Sequence, residues 1–254
     1  MVQRVRIRYA KRGPLRFTSH RDFARAFERA VRRAGVPIAY SQGFTPHPKI
    51  SYASAAPTGV ASEAEYLEIG LQAPVDPEAL RQKLDAALSP GLDVLEAVVA
   101  GPGGLADRID ASRWRVELPG VEPDELRRAV AAFEAASEVL VERLTKQGLR
   151  SFDARGPVAH IAVATDLTGA QELIMPGEPP SEIVATPCAI LDLVVRQVSP
   201  TVRPDDVLSG LRVVADLEPP VPPRATRLAQ GTLTAQGEID DPLEADRGAH
   251  IGEL

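Results

Sequence analysis

The chain has 254 residues, room for two small domains, and its 44% hydrophobic and 25% charged content is that of a globular protein. Its single cysteine, Cys188, excludes an internal disulfide framework and a multi-cysteine metal site. The net charge of −6 excludes a uniformly basic nucleic-acid binder, yet residues 1–50 hold 12 Lys and Arg against 2 Asp and Glu, and the remainder holds 17 against 33.

The front segment therefore offers an anion-facing surface, except where acids from the rest of the chain neutralise it. No apolar run is long enough to span a bilayer. The first residues, MVQRVRIRYA, alternate instead of forming an apolar signal core, so a cytoplasmic location is expected.

In residues 2–9, Val5, Ile7 and Tyr9 alternate with Arg4, Arg6 and Arg8, the pattern of a half-buried strand. Residues 19–34 read as a helix with Phe23, Phe27, Ala30 and Ala34 as its buried stripe. Ser19 caps it and Asp22 completes a short capping box. Gly35 and Pro37 stop it. Strand-like arms at 37–41 and 49–54 flank a proline loop. EYLEIGLQ, 65–72, is a strand with Leu67, Ile69 and Leu71 on one face and Tyr66 and Glu68 on the other. A helix over 76–88 starts at Asp76 and Pro77 and turns Leu80, Leu84 and Leu88 inward, and 91–100 is a closing strand.

This order, β-α-β-β-α-β, predicts an α+β fold of ferredoxin-like type, with an antiparallel sheet and both helices on one face. A Gly- and Pro-rich linker is expected at 100–110. The second half repeats the plan with insertions: a strand at SRWRVELPG, a helix at 122–137, a strand at VLVERLTK, a hairpin from AHIAVAT and AQELIMP, a strand at 189–198, a helix from Pro204 and a last strand at RATRLAQGTL. Two tandem ferredoxin-like domains are thus expected, 1–100 and a diverged, elaborated 111–231, followed by an acidic, disordered C-terminal tail at 232–254.

Three groups of residues could carry chemistry. The row Arg4, Arg6 and Arg8 lies either on an open sheet face as an RNA platform or in cross-strand ion pairs with Glu68. Arg21, Arg25, Arg29 and Arg32 form a stripe on the first helix, opposite its aromatic face. LRFTSH, 15–20, and GFTPHPK, 43–49, each present a histidine in a distinctive loop. His20 falls at a helix N-terminus, where free backbone N–H groups can hold an anion. Pro46 and Pro48 stiffen the backbone on both sides of His47, and Gly43 permits the turn before it. The candidate contact residues are Arg16, Ser19, His20, Arg21, Gln42, Phe44, His47 and Lys49, with Arg4, Arg6, Arg8, Arg25 and Arg29 as surrounding basic surface. Two imidazoles beside a phosphate could cleave RNA through its 2′-hydroxyl without a metal, or hold an anion without reaction. His160, in an apolar strand, reads as a core histidine, and Cys188 as a buried, inert thiol. No metal-binding, phosphate-loop or serine-nucleophile motif is present, so no cofactor is expected.

F-x-S-H at Phe17, Ser19 and His20, Y-S-x-G-F-x-P-H-P-K from Tyr40 to Lys49, and E-Y-L at Glu65 resemble the radical-SAM-linked protein family, a bacterial domain encoded beside or fused to a radical SAM enzyme. The resemblance is strongest over residues 1–100. The chain departs from that pattern at Thr45, where Asn is usual, and at Arg21, where an apolar residue is usual. The resemblance implies a radical SAM enzyme as partner. It also tilts the substrate toward RNA, in RNA or ribosome maturation. Lacking a three-cysteine cluster motif, this chain cannot itself be such an enzyme. A non-catalytic RNA- or anion-binding accessory is the leading expectation. A metal-independent endoribonuclease using His20 and His47, and a protein–protein adaptor, are the alternatives.

Overall fold

The computed structural model describes residues 1–145, 148–164 and 187–248. It is a mixed α+β protein, with four α-helices among the described residues and mostly antiparallel sheet. Two compact units divide it. The first holds Met1–Ile109, Ala229–Thr232 and the described residues from Asp240 on; the second holds Asp110–Leu228 and Leu233–Ile239.

In the first unit the order is β1 (Gln3–Lys11), α1 (His20–Arg33), β2 (Ile50–Ala53), β3 (Ala61–Leu71), α2 (Pro77–Ala87) and β4 (Leu92–Val99). β1 pairs antiparallel with β4 on one side and with β3 on the other, and β2 pairs antiparallel with β3. The alternation in β1 decides the layering. Val5, Ile7 and Tyr9 pack with Phe23, Phe27, Leu67, Ile69, Leu71, Leu80 and Leu84. The Tyr9 and Phe23 rings stack at 4.3 Å. Each such side chain contributes roughly 1.5–3 kcal/mol by leaving water.

Helix α1 begins where Ser19 accepts the Asp22 N–H at 3.2 Å. It ends at Gly35, whose φ of +63° an L side chain adopts only with strain. Helix α2 is capped by Asp76, which accepts the Ala79 N–H at 2.8 Å, with Pro77 in its first turn. The strand expected at 37–41 forms only isolated bridges, Ile38 with Leu71 and Tyr40 with Pro48. Pro37 and Pro48 lack the donors a longer ladder needs.

Two expectations about this unit are overturned. The segment 100–110 is not a free linker: Leu105 and Ile109 are buried, and a short helical turn runs Ala106–Arg108. Nor is the tail disordered over its described part, to Gly248. It contains a strand β11 (Ile239–Asp240; β5 to β10 follow below), and from Asp240 on a turn at Glu244–Asp246 and a fully buried Leu243 hold it in the first unit. Leu243 packs with Ala53, Ala64, Tyr66, Leu105 and Ile109 on the sheet face opposite the helices. One apolar anchor in an acidic stretch is enough to order it once a partner surface exists.

The second unit runs β5 (Ala111–Pro119), α3 (Pro123–Ala135), β6 (Leu140–Thr145), β7 (Gly148–Asp153), β8 (Val158–Ala164), β9 (Cys188–Arg196) and α4 (Pro204–Ala215). β10 (Arg224–Leu233) follows, its residues shared between the units as given above. β5 and β8 each pair antiparallel with β9. β6 and β7 form a separate two-stranded ribbon. Leu126, Phe133, Val207 and Leu211 are buried from the helices. Gly210 admits the ring of Phe133: a Cβ there would lie 2.7 Å from its Cε2. The second arm of the expected hairpin, AQELIMP, lies outside the described residues.

Candidate functional site

The basic front segment separates into two populations, and ion pairing draws the line. The Arg4, Arg6 and Arg8 row is not an open platform. Arg6 is fully buried; its Nε donates to Glu68 at 2.9 Å and its Nη1 to Asp246 at 2.6 Å, while Nη2 donates to the Gly103 carbonyl. Arg4 donates to Glu68 at 3.2 Å and to the Gly101 carbonyl at 3.1 Å. Arg8 lies 3.7 Å from Asp241. Arg12 holds Glu63 and Asp93, and the Glu63 carboxylate holds its guanidinium above the ordinary arginine value, against the cost of burial. Tyr66, a possible stacking partner on that face, is buried, and burial raises its phenol pKa, with Asp241 adding to the effect. This part of the basic surface is neutralised from within, as the Glu68 alternative anticipated.

The second population faces solvent. Arg21, Arg25 and Arg29 are exposed along α1, and Lys49 is exposed at the end of the proline loop. Among the described residues none of the four makes an ion pair. Arg32 has a loose one, 3.7 Å from Glu28. Arg16 donates weakly to the Gly13 carbonyl and lays its guanidinium 4.6 Å from the Phe17 ring centroid.

The loop is built by its own backbone. The Ser41 N–H donates to the His47 carbonyl at 2.8 Å, and the His47 N–H returns to Ser41 Oγ at 3.0 Å. The Lys49 N–H donates to Ala39 and the Gly70 N–H to Lys49, which fastens the base of the loop to β3. Between these ties the chain turns at Gly43, φ +131°, and Phe44 stands fully in solvent. Gln42 and His47 are exposed with it.

His20 opens α1 and is exposed, its ring edge-on to Tyr52 with centroids 4.9 Å apart. Tyr52 also meets Phe23, so the strand leaving the loop lies against the first turn of α1. The Tyr52 hydroxyl is buried and without a hydrogen-bond partner among the described residues; burial, then Glu28, raise its pKa. The structure thus joins His20 to Tyr52, and among the described residues no ring contact joins His20 to His47. Neither imidazole makes a hydrogen bond there. Ser19 is occupied as the helix cap, with its hydroxyl donating to Asp22 at 2.7 Å. Sequence reasoning left Phe17 in its motif only; it is largely exposed. Its odd place beside two polar residues was the available signal.

In the second unit His160 is exposed and not a core residue, on the sheet face away from the helices. With Arg113, Arg196 and the turn at 234–237 it lines a cleft of about 470 Å³. Cys188 is partly buried, and burial raises its thiol pKa, with Glu117 adding to the effect. Among the described residues no helix is long and apolar enough to cross a membrane.

Among curated proteins none matches the chain. Over residues 4–204, well over half its length, it matches the family described as an uncharacterized protein conserved in bacteria (DUF2344), and it belongs to that family.

Proposed function

We propose that this protein binds RNA, or a closely similar polyanion, without reacting with it, through the solvent-facing cations of its first unit, and presents it to a radical SAM enzyme in the cytoplasm. The observation that carries the reading is the contrast in ion pairing. Arg4, Arg6, Arg8 and Arg12 are held by carboxylates, whereas Arg21, Arg25, Arg29 and Lys49 are left to solvent. Guanidinium groups without an internal partner are the natural ligands of phosphate. Both units are read as ferredoxin-like, a reading supported by the β-α-β-β-α-β order of the first. The radical SAM partnership rests on the F-x-S-H and Y-S-x-G-F-x-P-H-P-K motifs.

The test is RNA binding followed by fluorescence anisotropy over a salt series. Each phosphate contact releases counterions, so affinity should fall steeply and linearly on logarithmic axes. No binding at low salt, or binding insensitive to salt, overturns the reading.

A further inference from the structure

We infer that the ligand class is a single strand with unstacked bases, and that Phe44 is the platform on which one of those bases stacks. The inference rests on the polyanion-binding reading and narrows it. Phe44 is the first reason. A phenylalanine fully exposed to water costs solvation and contributes nothing to the core of its own chain. It does not sit on a slack tip. The two hydrogen bonds between Ser41 and His47 close the loop beneath it, and Pro46 and Pro48 restrict the same backbone. The ring is therefore presented, with little entropy left to lose on contact.

The second reason is the cation stripe that the same unit presents to solvent. The strand that leaves the loop carries Tyr52 to the first turn of α1, the turn that begins the arginine stripe. Arg21, Arg25 and Arg29 recur every fourth residue, which spaces them about 6 Å apart along the helix axis. That is close to the interval between successive phosphates of an extended strand. An exposed aromatic ring and evenly spaced cations on the same unit together suit a strand whose bases are free to turn outward. In a duplex the bases are stacked on each other, and the same ring would find only sugar and phosphate.

The discriminating measurement uses a labelled oligoribonucleotide of mixed sequence, free and annealed to its complement, with wild type, Phe44→Ala, Phe44→Trp, and Arg21→Ala/Arg25→Ala. The expected result has three parts. The single strand binds about tenfold or more tightly than the duplex. Phe44→Ala weakens the single strand about tenfold or more and leaves the duplex unchanged, while Phe44→Trp retains wild-type affinity. The arginine variant lowers the salt slope for both. Phe44 has no packing role, so the variants remain folded. Equal, salt-dependent binding of both forms, unmoved by Phe44→Ala, overturns this inference and leaves the polyanion reading standing. No binding of either form overturns both. Failure of both together with salt-insensitive capture of a protein through Phe44 would mark the loop as a protein-docking anchor instead.

Discussion

Arg6 and Asp246, 240 positions apart in sequence, meet in a 2.6 Å ion pair with both side chains withdrawn from water, at 0% and 1% exposure. Asp246 also receives Arg108 at 2.8 Å and the Gly101 N–H at 2.9 Å. A pair buried this completely adds little against an apolar substitute, because desolvation offsets the attraction. Breaking it is another matter, since it leaves Arg6 Nη1 without its acceptor in a place water cannot reach, and takes the same carboxylate from Arg108. Asp246→Ala should therefore cost about 3–5 kcal/mol. Urea unfolding reads this directly. A cycle with Arg6→Met should return a coupling of about 1–3 kcal/mol. An unchanged midpoint in the single variant would mean that the C-terminal segment is not held by this contact.

The two arginine populations give a sharper comparison than either alone. Arg12 is bound to Glu63 and Asp93, so Arg12→Ala should leave RNA affinity and its salt slope unchanged. Arg25→Ala, which breaks no ion pair among the described residues, should lower the salt slope by about one and weaken all sequences alike. Anisotropy titrations at three or more salt concentrations separate the two. Equal losses from both variants would show that net charge, and not local pairing, governs binding.

Much of the first unit was legible because its signals are local. Alternation in β1, the Ser19 and Asp76 caps and the Phe23–Phe27 stripe each act within a few residues. Even the Arg6–Glu68 pairing could be anticipated, as both lie mid-strand on one face. The destination of Asp246 could not be. Nothing near it marks it for burial, and its partner stands at the other end of the chain. The tail therefore read as disordered, and the arginine row kept an open-face reading that Asp246 and Asp241 remove. His160 failed for a related reason. Its neighbours Ile161 and Val163 are apolar, but alternation turns His160 to the other face. The loops bearing His20 and His47 were recognisable from proline, glycine and motif spacing. Their mutual geometry depends on how β2 lies on α1, a tertiary relation with no local signature.

Gly210 shows how closely the second unit's helices approach. Its α-carbon faces Phe133, which is fully buried, and a methyl group would lie 2.7 Å from Cε2 and 3.2 Å from Val139 Cγ1. A buried ring held between two helices has nowhere to retreat. Gly210→Ala should thus destabilise the protein by about 1–3 kcal/mol, even though alanine is the better helix former. Trimming the ring as well, in Gly210→Ala/Phe133→Leu, should recover part of the loss. Thermal unfolding measures both variants. A stabilised Gly210→Ala would show that the ring moves aside without cost.

Asp153 links the ribbon to pH. Burial pushes its carboxyl up, but the N–H groups of Val139, Arg155 and Gly156 donate to it at 2.9, 2.8 and 2.8 Å and leave it below its ordinary value of 3.8. A carboxylate with a depressed folded pKa contributes stability above its unfolded value, and that contribution disappears as pH falls through the folded one. Asp153→Asn keeps the shape and loses the charge. At this half-buried position the loss should be about 1 kcal/mol near neutral pH. The gap between wild type and variant should stay level down to about pH 5 and close as the solution is acidified past 3.8. Urea midpoints at pH 7, 5, 4 and 3 trace it. A gap that persists unchanged at pH 3 would mean that the amide fails through geometry, and that charge at Asp153 does not order the loop joining β7 to β8.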